Sequence, residues 1–318
     1  MATITILGGT GFVGSALTTR LATRGDRVRV LTRDPVRGRH LAVLPGVELT
    51  RTNVHDPAAL SREFVGSDVV INLVGILNER GFSGEGFQQA HAELTRKVVA
   101  AAADRGVRRL LQMSSLGADE AGPSHYQRSK GRAERHVRAA PAGLAWTLLR
   151  PSVIFGVGDS FLNRFAGLLR LTGGVIPLAR PNARFQPVWI GDVVRAFELA
   201  LDDGTTHGQA YDLGGPEVLT LRRLVEYTGA VIGVPAKVIP LPDAISRAQA
   251  FVMDFVPGRP FSTDNYRSLT VDNVCREDGC ARLGIRPASL GAIVPGYLGG
   301  DGHAARYRRF RTRARRDA

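Results

Sequence analysis

Tyr126-Gln127-Arg128-Ser129-Lys130 sets a phenol and an ammonium four residues apart, one turn apart on a single helix face. Such a pair suits proton transfer. A nearby ammonium lowers a phenol pKa from about 10, so Tyr126 could exchange a proton with a substrate oxygen near neutral pH. Lys130 would also hold a nucleotide ribose. The chain has six tyrosines and the three lysines Lys97, Lys130 and Lys237, so this spacing seldom arises by chance. Upstream, Ser114 and Ser115 follow an apolar run. A hydroxyl there could donate to a substrate carbonyl and stabilise developing negative charge, with Ser115 preferred over Ser114 for its position. The plain alternative is that the two serines form a turn.

A second constellation stands at the start of the chain. Gly8, Thr10, Gly11, Phe12, Val13 and Gly14 link a first apolar strand to an amphipathic stretch. Glycines at 8, 11 and 14 allow a tight turn, let backbone N–H groups approach a diphosphate, and let helix pack on strand. Position strengthens the pattern, because strand, loop, helix and second strand follow within about 30 residues. This predicts a dinucleotide site. The second strand ends at Thr32, where an NAD site normally carries an acid. Arg33 follows, with Arg37 nearby, and a guanidinium there can pair with a 2′-phosphate. NADP is therefore favoured over NAD, although Asp34 could still bind a ribose.

The elements that must position these groups read as an α/β fold, a Rossmann doubly wound parallel sheet. Expected strands are residues 3–7, 27–32, 47–53, 68–74, 108–113 and 145–150, with helices over 12–24, 57–64, 87–105 and 125–139. Val69-Val70-Ile71-Asn72-Leu73-Val74 is a continuous apolar run, as in a strand covered on both faces. Beyond residue 155 the alternation loosens. Helices are expected near 161–171, 191–201 and 221–232, and 234–286 reads as irregular and Pro-rich. The division expected is a Rossmann domain over 1–155, a smaller interleaved α/β substrate lobe over 156–300, and a basic tail over 301–318.

Composition narrows the class. An apolar fraction of 44% and a charged fraction of 22% are ordinary for a globular protein. The glycine-rich turn comes too early for a signal peptide, so a cytoplasmic protein is expected. Cys275 and Cys280 fit a reducing compartment, and neither they nor the seven histidines show metal-ligand spacing. No metal is expected. The net charge of +13 is concentrated toward the end, where residues 306–316 carry seven arginines and no acid. That run could dock on an anionic lipid surface, a nucleic acid or an acidic protein, or simply be a solvated tail. Without it the charge falls to +6, with no basic stripe or aromatic platform left for nucleic acid.

Taken together these pieces resemble the extended and atypical short-chain dehydrogenase/reductase superfamily. The resemblance rests on Gly8, Gly11 and Gly14, Asp56, Asn72-Leu73-Val74-Gly75, Ser114-Ser115, Tyr126 with Lys130, and Leu149-Arg150-Pro151-Ser152-Val153-Ile154-Phe155-Gly156. It implies that the loop binds the pyrophosphate, that Asp56 reaches the adenine, that Leu73, Val74 and Gly75 line the cofactor, and that Pro151 and Val153 flank the nicotinamide. Residues 150–165, Gln186-Pro187-Val188-Trp189-Ile190-Gly191-Asp192-Val193 and 261–274 look most like bacterial relatives of the NADPH-binding accessory subunit of respiratory complex I. The resemblance implies an NADP-dependent oxidoreductase, or an epimerase or dehydratase, with a Ser/Tyr/Lys site. The alternative it implies is a non-catalytic NADPH-binding structural or assembly protein, peripheral at an inner membrane.

Overall fold

The computed structural model describes residues 2–79, 81–256 and 261–299. The expected basic tail over 301–318 lies outside them. The chain divides into two compact units, the first formed by Met1–Pro151, Gly191–Leu213 and Cys275–Ile285.

In the first unit β1 (Thr3–Leu7), β2 (Arg27–Thr32), β3 (Val47–Arg51), β4 (Val69–Asn72), β5 (Arg109–Met113) and β6 (Ala145–Pro151) join a seventh strand, Gln209–Leu213. All pair in parallel, in the order Gln209–Leu213, β6, β5, β4, β1, β2, β3. The order reverses between β1 and β4, which opens a crevice at their carboxyl ends. The register sets Leu7 beside both Leu31 and Asn72, so the three strand ends are level. The expected doubly wound sheet is thus what forms. The seventh strand was not anticipated from the sequence.

The helical segments over the sheet include α1 (Phe12–Thr23), α2 (Pro57–Glu63), a run made of α3 (Glu85–Phe87), a π-helical turn (Gln88–Glu93) and α4 (Leu94–Asp104), then α5 (His125–Arg138) and a later helix at Ile190–Asp202, whose Ala200 O accepts from Arg109 of β5. Their apolar faces explain the arrangement. Leu94, Val98 and Ala102 of α4 and Val137 of α5 meet Val70, Leu110 and Leu148 of the strands in one buried cluster. Each fully buried leucine there contributes roughly 2 kcal/mol.

The second unit comprises Ser152–Ile190, Gly214–Val274 and Arg286–Ala318. Its described part holds three two-stranded sheets. A separate core gathers Phe155, Leu169, Phe185, Leu224 and Val294. The stretch 234–286, expected to be irregular, instead contains a strand at Lys237–Pro240 and helices at Asp243–Met253, Thr263–Ser268 and Gly279–Arg282. Local caps explain the difference. Ser262 accepts from Asn265 N–H and Asp278 from Ala281 N–H, so short helices form without a long apolar period.

Candidate active site

Tyr126 and Lys130 sit in the first two turns of α5, whose start is fixed by local chemistry. Ser124 Oγ accepts from Gln127 N–H at 3.1 Å while Gln127 Oε1 accepts from Ser124 N–H at 3.4 Å, a reciprocal cap. Gly131 lets the preceding loop press against the helix. A Cβ there would lie 2.4 Å from Glu120 N.

Ser114 and Ser115 leave β5 at the carboxyl edge of the sheet, and the structure separates their roles. Ser114 Oγ donates to Glu134 Oε1 at 2.6 Å. Glu134 also receives Arg150, whose guanidinium reaches Asp212 at 3.5 Å. Ser114 is therefore held within a buried ionic network. Ser115 Oγ is buried and forms no hydrogen bond of ordinary length among the described residues. It lies near enough to the Tyr126 phenol to draw that pKa down.

The expected action of Lys130 on the phenol is corrected by the geometry. Burial pushes the Tyr126 pKa up, the opposing influence is Ser115, and Lys130 Nζ lies 6.0 Å from the ring centroid. The ammonium turns instead toward Met113 O at 3.3 Å. Burial lowers the Lys130 pKa to about 8, against the attraction of Glu134. Its charge is thus easily displaced by a local change, which is a property of functional lysines.

His91 was missed in the sequence and proves central. It lies in the π-helical turn, an irregularity common at functional sites. Its Nε2 accepts the Ile76 N–H at 3.0 Å, so Nδ1 carries the proton and donates to Ser129 Oγ at 2.8 Å. Ser129 in turn donates to Tyr126 O at 2.8 Å. Burial and the Lys130 charge hold His91 neutral, its pKa well below the usual imidazole value. The ring packs edge-on to Tyr126, with centroids 5.4 Å apart. No fixed spacing could have announced this residue.

The glycine loop closes the other side. A Cβ on Gly8 would meet Leu73 C and Val74 N at 3.1 Å, and one on Gly14 would lie 2.2 Å from Gly8 O. Asn72 Oδ1 accepts the Val74 N–H at 3.2 Å, steadying the strand after β4. Helix α1 begins at Phe12 with no side-chain cap and no acid in its first turn. Its leading N–H groups and positive dipole end therefore suit an anion. Gly75 faces Lys130 and His91: a Cβ there would stand 3.4 Å from Nζ and 3.5 Å from Nε2. The backbone cradle, uncapped helix and ammonium fit the diphosphate and ribose of a dinucleotide.

The remaining expected residues are placed as follows. Arg33 is exposed after β2 and forms no ion pair among the described residues. Asp34 Oδ1 accepts from Val36 N–H, and its carboxylate lies 3.5 Å from Arg37. Asp56 caps α2 by accepting the Ala58 N–H at 2.9 Å, which leaves its second oxygen for other partners. Pro151 ends β6. Val153 belongs to the second unit, where its N–H donates to Asn273 Oδ1 at 3.1 Å.

Comparison with known proteins shows the family and the fold. An NAD(P)H-binding family model matches residues 8–157. NADH dehydrogenase [ubiquinone] 1 alpha subcomplex subunit 9 of Arabidopsis thaliana mitochondria is 32% identical, over 86% of this chain and 71% of its own. The (4-alkanoyl-5-oxo-2,5-dihydrofuran-3-yl)methyl phosphate reductase of Streptomyces griseus is 31% identical, over 74% of this chain and 75% of its own. Among solved structures, dTDP-glucose 4,6-dehydratase from Streptomyces venezuelae, with NAD bound, superposes with a TM-score of 0.72 at 22% identity, covering 93% of this chain and 95% of that one. With its seven-stranded sheet, glycine cradle and Tyr–Lys helix, this chain is an NAD(P)-binding member of the extended short-chain dehydrogenase/reductase superfamily, related to the alpha subcomplex subunit 9 of respiratory complex I.

Proposed function

We propose that this protein is an NADP-dependent oxidoreductase in which Ser115, Tyr126 and Lys130 act on a carbonyl or alcohol. The observation that carries the reading is the buried Ser115 hydroxyl, short of a full hydrogen bond and beside the Tyr126 phenol. A buried hydroxyl in that state costs stability, so its place suits a ligand oxygen. Ser115 Oγ donates to the substrate oxygen and stabilises the charge that develops on it. Tyr126 Oη gives that oxygen its proton, or takes one in the reverse direction. Lys130 Nζ, close to the position a Gly75 side chain would take, holds the ribose. His91 and Ser129 fix the backbone at Ile76 and Tyr126. The nicotinamide supplies the hydride chemistry when bound.

Gly8, Thr10, Gly11, Phe12, Val13 and Gly14 would hold the diphosphate, Asp56 the adenine, Leu73, Val74 and Gly75 the floor of the site, and Pro151 and Val153 the nicotinamide. NADP is favoured over NAD because Asp34 is engaged in capping its own turn while Arg33 is free of an ion pair among the described residues. Tyr126→Phe should abolish turnover and leave NADPH binding intact. Unchanged turnover in that variant refutes the reading. Native mass spectrometry of the purified protein would identify any co-purifying dinucleotide.

The similarity to the complex I subunit favours a second reading, a non-catalytic NADPH-holding protein docked in a peripheral membrane assembly. It predicts recovery from membranes together with partner subunits, and an association that Tyr126→Phe does not alter.

A further inference from the structure

Helix α5 carries four arginines, and they are partnered unequally. Arg135 reaches Glu120 at 2.7 Å and Arg138 reaches Glu134 at 3.5 Å. Arg128 and Arg132 meet no carboxylate among the described residues. Arg128 donates to Gly122 O at 2.7 Å and to His125 Nδ1 at 3.1 Å, and Arg132 to Gln88 Oε1 at 2.9 Å. A guanidinium has five N–H donors, so most of those on this pair are unspent among the described residues. Four positions apart on one helix face, the two cations also repel each other.

Both arginines open on a cavity of about 340 Å³, whose lining includes Ser83, Gly84, Gln88 and His125. Small-molecule sites begin at roughly 300 Å³. The wall opposite α5 is closely fitted. Gly84 takes a φ of 81°, and its contact with the His125 ring leaves no room for a Cβ. Glu79 is buried and turned to the loop backbone, accepting Gly84 N–H at 2.6 Å and Gly86 N–H at 2.9 Å. The acid in the lining is Glu85, which is exposed and accepts from Gln89 Nε2 at 3.3 Å. The first turn of α5 has no acid, so the positive end of its dipole adds to the two cations.

We propose that this cavity binds a phosphoryl group, clamped between Arg128 and Arg132. A carboxylate's two oxygens fill one guanidinium fork, whereas the three terminal oxygens of a phosphoryl group take parallel bonds from two. Ser129, also in the lining, bonds to His91 Nδ1 and to Tyr126 O. An occupant therefore touches the residue that holds the backbone of the phenol, while no glycine-loop residue lines the cavity. The inference goes beyond both functional readings, since binding here needs neither hydride transfer nor a partner subunit.

The test is isothermal titration of the full chain, saturated with NADPH to fill the dinucleotide crevice, with inorganic phosphate and separately with glucose 6-phosphate. Wild type should bind at least one of them saturably, while sodium chloride at matched ionic strength gives no saturable signal. Tighter binding of the ester identifies an organic phosphate as the occupant, and binding of inorganic phosphate alone identifies the free ion. The double variant Arg128→Gln with Arg132→Gln should lose about tenfold or more in that affinity, with NADPH affinity unchanged. Arg132→Gln alone, which gives up one hydrogen bond to Gln88, should still lose about fivefold and keeps the test open if the double variant folds poorly. Neither variant alters the glycine loop, so the comparison holds with or without the dinucleotide. No saturable binding of either probe overturns the inference. Equal affinity in wild type and variants also overturns it, by placing the phosphate elsewhere. So does a wild-type dimer that the variants dissolve, which would assign the two arginines to a second copy of the chain.

Discussion

Lys130→Met should stabilise the protein while removing its activity. Lys130 is 3% exposed, and the one hydrogen bond its ammonium makes among the described residues is to a backbone carbonyl at 3.3 Å. Burial moves its pKa from 10.5 to about 8. A displacement of that size corresponds to ~3 kcal/mol held against folding. Because the folded-state pKa lies below the unfolded-state value, unfolding takes up a proton between the two. The penalty is complete below about pH 8 and is relieved as pH rises toward 10.5. Methionine keeps the aliphatic stem and its packing without the charge. Chemical and thermal denaturation near pH 7 should show the variant more stable by up to ~3 kcal/mol, or several degrees in Tm. Repeated near pH 10, the same measurements should show most of that difference gone. A variant no more stable than wild type near pH 7, or a gap of equal size at both pH values, would refute the placement of a buried, costly ammonium beside Tyr126.

Gly14→Ala forces a methyl to within 2.2 Å of Gly8 O and should weaken NADPH binding about 100-fold or more, as isothermal titration would measure. Gly25→Ala, where φ is 90° and nothing lies within 4 Å, should cost only ~1 kcal/mol of stability and leave binding unchanged. Ser114→Ala strips a 2.6 Å hydrogen bond from Glu134 and should lose ~1.5–3 kcal/mol in denaturant melts. Ser115→Ala should instead leave stability level or slightly raised and lower kcat ~100-fold. Arg33→Ser should reduce NADPH affinity about tenfold, with NADH affinity unmoved, as fluorescence titration would show.

The sheet could be read from the sequence because its strands are buried on both faces and bounded by glycine turns. β1 and β2 form over the residues expected, since Ile4, Ile6, Val28 and Val30 are apolar and end abruptly at Gly8 and Thr32. The Tyr–Lys helix, expected over 125–139, forms over His125–Arg138, and the reciprocal Ser124–Gln127 cap that starts it was not read from the sequence. What stayed hidden depends on distant partners. His91 gains its place only when Ile76 and Ser129, far apart in the chain, converge on its two ring nitrogens. The direction of the Tyr126 pKa follows from burial, which no local motif encodes. The helix at Asp243–Met253 escaped notice because its apolar residues do not face a core, so the usual link between pattern and packing is absent.

The wide turn at Gln88–Glu93 bears on which changes this chain can absorb. A π-helical turn accommodates one more residue than the α-helix on either side of it. Deleting a single residue from that stretch would let it close to ordinary helical winding and swing everything before it by roughly 100° about the axis. Phe87 would then leave the edge of the Tyr126 ring, now 6.0 Å from it, and Gly84 would no longer nest against His125. Point substitutions at the exposed Gln89 leave the winding intact. In this segment the count of residues matters more than most of their identities, and the imidazole is the exception.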